Sequence, residues 1–211
     1  MSSLFSDAFA ALPLVAILRG VKPEEVEAIA ATLVAEGFRL IEVPLNSPRP
    51  FESIARLAKS MPADALIGAG TVLSRDAVDQ VEAAGGRLIV MPHADGALIR
   101  HAKSRGLVCV PGAATPTEAF ACVAAGADAV KLFPAELITP PVLKAMRAVL
   151  PQELALLPVG GITPERMAVY RAAGASGFGL GGALYLPGLD ATEVGRRARA
   201  FVSAWRGAAL G

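Results

Sequence analysis

Aromatic and sulfur-bearing side chains are scarce in this chain. Its 211 residues include one tryptophan, two tyrosines and two cysteines. So few rings leave no stacking platform for single-stranded nucleic acid. The formal net charge is +1, from 20 basic and 19 acidic residues, which makes no electrostatic case for nucleic acid or an anionic membrane. Cys109 lies in an apolar run and Cys122 on a helix-like stretch, as small buried hydrophobes do. They imply no disulfide framework and fit a reducing, cytoplasmic setting. With only His93 and His101, and no HExxH, CxxC or paired-ligand spacing, no metal site is expected. The first residues lack a basic region followed by an apolar core, so no signal peptide is expected. No apolar run approaches the roughly 18 residues of a membrane span.

Apolar residues, by contrast, are plentiful. The chain is 54% hydrophobic and 18% charged, a globular composition, and long enough for one large domain with a real core. Pro and Gly punctuate a repeating pattern. A short helix over Ser3–Ala11 precedes a strand over Leu14–Leu18. Pro23 then opens a helix that Gly37 closes, the usual asymmetry of helix ends. Further strands are expected over 40–45, 66–71, 88–92, 107–111, 129–133, 154–159 and 177–184. Each is followed by a helical stretch with capping residues such as Ser74, Asp95, Thr115 or Thr163. Strands alternating with helices predict a parallel sheet, and eight such units predict a (β/α)8 barrel with a short N-terminal helix. An open doubly wound sheet would want GxGxxG after the first strand; Arg19-Gly20-Val21-Lys22-Pro23 does not supply it. No linker or charge block divides the chain, so residues 1–211 are expected to form a single barrel domain.

The barrel would be organised around Ala129-Val130-Lys131-Leu132-Phe133-Pro134, an apolar strand with a lysine in the middle. One reading is a snorkelling lysine with its amine in water. The other is a desolvated amine of lowered pKa, a nucleophile able to form a Schiff base with a ketone. Active sites of such barrels lie at the carboxyl ends of the strands. Arg19 ends strand one, Glu42 lies within Leu40-Ile41-Glu42-Val43-Pro44, Thr71 ends strand three, and Lys131 belongs to strand six. The strand period puts Leu40, Glu42 and Pro44 on the inner face, with Ile41 and Val43 toward the helices. A buried ion pair is a poor stability device, so a carboxylate and an amine in one dry cavity point to chemistry, with Glu42 as acid/base. Burial and Arg19 lower the lysine pKa and Glu42 raises it; the sequence does not rank these effects.

Gly160-Gly161 follows strand seven and precedes a helix at Thr163, and Gly179-Leu180-Gly181-Gly182 follows in strand eight. Either these glycines serve tight turns, or their amides and the helix N-terminus hold a phosphate. His93 begins the loop after strand four, as a rim contact or a plain exposed residue.

Several segments carry a family resemblance: Ala16-Ile17-Leu18-Arg19-Gly20, Ile41-Glu42-Val43-Pro44-Leu45-Asn46-Ser47-Pro48, Ile67-Gly68-Ala69-Gly70-Thr71-Val72-Leu73, Pro111-Gly112-Ala113-Ala114-Thr115-Pro116-Thr117-Glu118-Ala119, Val130-Lys131-Leu132-Phe133-Pro134 and Val159-Gly160-Gly161-Ile162-Thr163-Pro164-Glu165. In order, and over nearly the whole chain, the sequence resembles the bacterial class I aldolases of 2-keto-3-deoxy-6-phosphosugar acids. That family has phosphogluconate and phosphogalactonate branches. The first typically carries Arg-Thr after the strand-two glutamate; Asn46-Ser47-Pro48 here is similar to the second. The resemblance implies cleavage of a phosphorylated keto acid to pyruvate and glyceraldehyde 3-phosphate, with Lys131 forming the Schiff base and Glu42 as general acid/base. It implies Arg19 and Thr71 at the substrate carboxylate, Pro92 and Phe133 against the pyruvyl group, and phosphate on the amides of Gly160, Gly161, Gly181 and Gly182. It further implies no cofactor and a homotrimer. Gly182 stands where the family often has serine, removing a phosphate hydroxyl contact. A phosphate-binding isomerase without an imine, and a non-catalytic sugar-phosphate sensor, are the competing classes.

Overall fold

The computed structural model describes residues 3–207. The elements run α1 (Ser3–Ala11), β1 (Leu14–Ile17), α2 (Pro23–Ala35), β2 (Leu40–Pro44), α3 (Pro50–Ser60), β3 (Leu66–Gly70), α4 (Arg75–Ala83), β4 (Leu88–Val90), α5 (Gly96–Ser104), β5 (Val108–Val110), β6 (Gly112–Ala113), α6 (Pro116–Ala124), β7 (Ala129–Leu132), α7 (Pro140–Val149), β8 (Ala155–Pro158), α8 (Pro164–Ala172), β9 (Phe178–Leu180) and α9 (Ala191–Gly207). The single-domain expectation includes residues 1–2 and 208–211, which lie outside the described residues.

The architecture is an α/β fold on a curled parallel sheet. Helical crossovers return the chain to the same end each time, so all the strand pairs formed are parallel. One sheet has the order β5-β4-β3-β2-β1-β9 and the other β6-β7-β8. The first strand thus lies beside the last, with Val15 opposite Gly179. Hydrogen bonds cross both gaps between the sheets. The Asp128 and Lys131 amides donate to the carbonyls of Cys109 (3.0 Å) and Pro111 (2.9 Å), and the Ser176 amide donates to that of Leu156 (2.9 Å).

Two strands differ from the sequence expectation. The fifth, expected over 107–111, is interrupted at Pro111, which has no N–H for the ladder, and resumes as β6. The last, expected over 177–184, ends at Leu180. Beyond it, the Leu184 and Tyr185 amides both donate to the Gly181 carbonyl (2.8 and 3.0 Å), which turns the chain and puts Gly182 in a loop.

Side chains sort into two layers. Leu14, Ala16, Ile41, Val43, Val130 and Leu132 pack in the large cluster beneath the helices. Val15, Leu40, Leu66, Val108, Ala129 and Leu157 form a smaller cluster inside the curve. Several of these inner residues begin their strands, and Phe5 and Ala8 of α1 pack among them. The helix therefore covers the amino-terminal end of the sheet. Phe5 is 1% exposed, a burial that contributes about 2 kcal/mol. The carboxyl ends remain open, and the charged residues gather there.

Candidate active site

Glu42 is the third residue of β2 and Lys131 the third of β7. Leu40 and Ala129, two positions earlier, belong to the inner cluster, and the strand period carries Glu42 and Lys131 to the same side. Lys131 is 5% exposed, which does not fit a snorkelling amine; Glu42 is 1% exposed. Both line a cavity of about 10 Å³, otherwise walled by Val15, Val90, Val110, Leu157 and neighbouring apolar side chains. Such a volume holds about one water at most. The Lys131 Nζ lies 4.6 Å from the centre of the Phe133 ring, which covers it from the solvent side while itself 36% exposed. Glu42 Oε2 has no hydrogen-bond partner among the described residues.

Burial is the largest influence on both groups. It pushes the Glu42 carboxyl up to about 7, against the opposing pull of Lys131 and then Arg19. Burial also holds the Lys131 ammonium below its ordinary range, opposed by Glu42 and assisted by Arg19. In the balance left open by the sequence, burial and Arg19 thus outweigh Glu42, and the neutral amine is favoured relative to an exposed lysine. At neutral pH the carboxyl is present in both protonation states, as an acid/base group requires.

Gly70 makes room for this carboxylate. A Cβ at Gly70 would stand 1.3 Å from Glu42 Oε2 and 2.3 Å from its Cδ. Gly70→Ala should therefore leave the fold intact by circular dichroism but turn the carboxylate aside and lower kcat by about 10²-fold, the usual cost of misplacing a reacting group by roughly 1 Å. Unchanged steady-state kinetics would refute this packing.

Lys131 also opens onto a second cavity of about 290 Å³ at the carboxyl ends, which it shares with Arg19, Phe133, Gly160, Gly161, Gly181 and Gly182. Arg19 is exposed and donates from Nη1 to Asn46 Oδ1 (2.5 Å), while the Gly20 amide donates to the buried Ser47 hydroxyl (2.9 Å). The Asn46-Ser47 loop thereby holds the end of β1 in place. Gly160 and Gly161 have φ of 118° and 56°, conformations open to glycine at little cost. Thr71 is half-buried and adopts φ 56°, strained for a β-branched residue, but neither it nor Pro92 lines this cavity. His93 is exposed and also stands apart from the lining.

Asn46, Ser47 and Glu136 complete the surroundings of the site without having been singled out as site residues. A Cβ at Gly160 would lie 2.3 Å from Glu136 Oε2, so this carboxylate sits against the glycine turn. Its only signal in sequence is its place just after the lysine strand. Among the described residues, no three or more His, Cys, Asp or Glu side chains are grouped to hold a metal ion. Nor is any described helix long and apolar enough to cross a membrane.

Comparison with known proteins agrees with this geometry. Residues 6–195 match the family model described as "Aldolase: KDPG and KHG aldolase". A protein of Rhizobium meliloti (strain 1021) named "Probable 2-dehydro-3-deoxy-6-phosphogalactonate aldolase" is 49% identical over 193 residues, covering 92% of this chain and 91% of that protein. The 2-dehydro-3-deoxy-6-phosphogalactonate aldolase of Escherichia coli (strain K12) is 44% identical over 195 residues, covering 92% and 95%. A solved structure described as "Native KDPGal structure" superposes with a TM-score of 0.93 at 44% identity, covering 95% of this chain and 97% of that one.

Proposed function

This chain belongs to the KDPG and KHG aldolase family, and we propose that it cleaves 2-dehydro-3-deoxy-6-phosphogalactonate to pyruvate and glyceraldehyde 3-phosphate through an imine on Lys131. One observation carries the chemistry: a buried amine and a buried carboxyl share a cavity of about 10 Å³, and the amine also faces an open cavity large enough for substrate.

In this mechanism the neutral Lys131 amine adds to the C2 carbonyl, and Glu42 donates the proton with which the carbinolamine loses water. The iminium then draws the electron pair of the C3–C4 bond as the Glu42 carboxylate takes the proton from the C4 hydroxyl. Glyceraldehyde 3-phosphate leaves. Glu42 returns the proton to the enamine carbon, and water hydrolyses the iminium, its released proton passing back to Glu42, to give pyruvate and the free lysine amine. The iminium serves as the electron sink, so the steps balance without a cofactor. Arg19 and Thr71 are assigned to the substrate carboxylate, Pro92 and Phe133 to the pyruvyl group, and the amides of Gly160, Gly161, Gly181 and Gly182 to the phosphate.

The same reading closes the two sheets into one (β/α)8 barrel forming a single domain, supported by the hydrogen bonds that cross both gaps and by the β1–β9 pairing. It also makes the protein a cytoplasmic homotrimer. Two buried, unpaired cysteines fit the compartment, and exposed apolar side chains such as Phe120, Leu137 and Val149 fit an assembly surface.

Side-by-side cleavage of the two carbon-4 epimers tests the substrate. The galactonate-derived epimer should show a kcat/KM roughly tenfold or more above the gluconate-derived one, a margin within reach of a few polar contacts. The reverse ranking would move the assignment to the gluconate branch, and cleavage of neither would remove the aldolase.

A further inference from the structure

We infer that Arg166 is the positioning residue that sets this chain's preference for a phosphorylated over an unphosphorylated substrate. The inference rests on the aldolase reading above and concerns the glycine-lined end of the larger cavity. Arg166 lies in the first turn of α8, and its Nη1 donates to the Gly161 carbonyl at 2.6 Å. That bond draws the carbonyl toward the helix. Among the described residues, the amides of Gly161 and Ile162 donate to no backbone acceptor, although these residues line the cavity; the preceding Val159 is held in a parallel bridge with Gly179. Unpaired amides on a cavity wall are groups an oxyanion satisfies.

The guanidinium is anchored from behind. It lies 5.6 Å from the centre of the Tyr170 ring, one turn further along the helix. The buried Tyr170 hydroxyl donates to the Ala135 carbonyl (2.8 Å), in the loop that follows the lysine strand. A single face of α8 thus ties the glycine turn to the segment beyond Lys131.

Charge points the same way. Arg166 forms no ion pair within 4 Å among the described residues, although Glu136 faces the same turn. Arg197 approaches the Gly182 carbonyl at 3.4 Å, but Glu193 already neutralises it at 2.8 Å. Glu136 brings an anion to the turn, its Oε1 lying 3.1 Å from the position of a Cβ at Gly161. A dianionic phosphate beside that carboxylate needs an opposing cation. Arg19, the guanidinium in the cavity lining, is assigned to the carboxylate; Arg166 stands behind the lining and acts through the turn it holds.

The test compares the parent protein with Arg166→Gln and Arg166→Lys, using the phosphorylated substrate and its dephosphorylated counterpart. Arg166→Gln should raise KM for the phosphorylated substrate about tenfold, the low end for losing a charge-assisted hydrogen bond, with kcat and the dephosphorylated reaction unchanged. Arg166→Lys should recover part of the loss, and added salt should narrow the gap. An unchanged ratio of the two KM values, whether neither moved or both moved together, would overturn the inference. Failure of the parent to cleave either substrate would instead strike the aldolase reading. Calorimetric titration with inorganic phosphate then still decides on Arg166: weaker binding by Arg166→Gln supports its role, and equal binding overturns it.

Discussion

Replacing Lys131 by methionine or arginine should abolish carbon–carbon cleavage, lowering kcat by about 10⁴-fold or more, as expected when a covalent nucleophile is removed. Methionine keeps the length and apolar stem of the side chain and forms no imine. Arginine keeps the charge, but its guanidinium is not deprotonated under ordinary conditions and cannot take lysine's place as nucleophile. The same variants should lose covalent trapping. Parent protein incubated with pyruvate and borohydride should carry a reduced adduct on Lys131, read by peptide mass spectrometry. The other lysines, Lys22, Lys59, Lys103 and Lys144, are exposed or half-buried and line neither cavity of the site. A methionine variant that still cleaves substrate, or a functional adduct on another lysine, would defeat the imine mechanism. An acid/base isomerase would tolerate arginine far better, so the variant also separates the two classes.

Glu42→Gln should lower kcat by about 10²- to 10⁴-fold, the range for a lost general acid/base. The limb of the pH–rate profile near 7 should vanish with it, because the amide does not titrate. A profile that keeps that limb would assign it to another group. The variant should also gain stability at alkaline pH. The folded protein holds the Glu42 proton up to about 7, against an ordinary value of 4.5. A carboxyl whose pKa is raised by folding imposes no ionisation penalty below 4.5. The penalty grows as pH rises from there toward 7 and stays constant above. It amounts to on the order of 3 kcal/mol at pH 8, tempered by coupling to Lys131. Denaturant unfolding at pH 5 and pH 8 should therefore show the advantage of glutamine chiefly at the higher pH. A gain confined to pH 5 would contradict the burial effect.

Much of the fold was legible because its signals are local. Proline at helix starts, glycine after helix ends and apolar strands between them delimit the units within a residue or two. Strand parity also located Glu42 and Lys131, since Leu40 and Ala129 mark the inner side and Ile41 and Val130 the outer. The break at Pro111 and the early end of β9 were harder, because the interrupting residues sit inside stretches that otherwise read as continuous strands. Thr71 was placed by its strand end and by the family resemblance, yet its positive φ redirects the backbone where a sequence pattern assumes extension. Asn46, Ser47, Glu136 and Arg166 carry no periodic signature. Their contacts form where loops and the start of α8 meet after the sheet curls, such as the Arg19–Asn46 contact across 27 residues. Gly182 is the reverse case, where a motif comparison exposed a missing hydroxyl that backbone geometry alone would not have announced.

The stacking of a pocket of about 10 Å³ beneath an open one of about 290 Å³ has a stereochemical consequence. In the proposed mechanism a planar enamine on Lys131 would span the boundary between them, with one face toward the Glu42 carboxyl and the other toward the open cavity. Proton delivery from Glu42 would then be confined to a single face, so an enamine carbon carrying deuterium and tritium should become a chiral methyl group of one handedness.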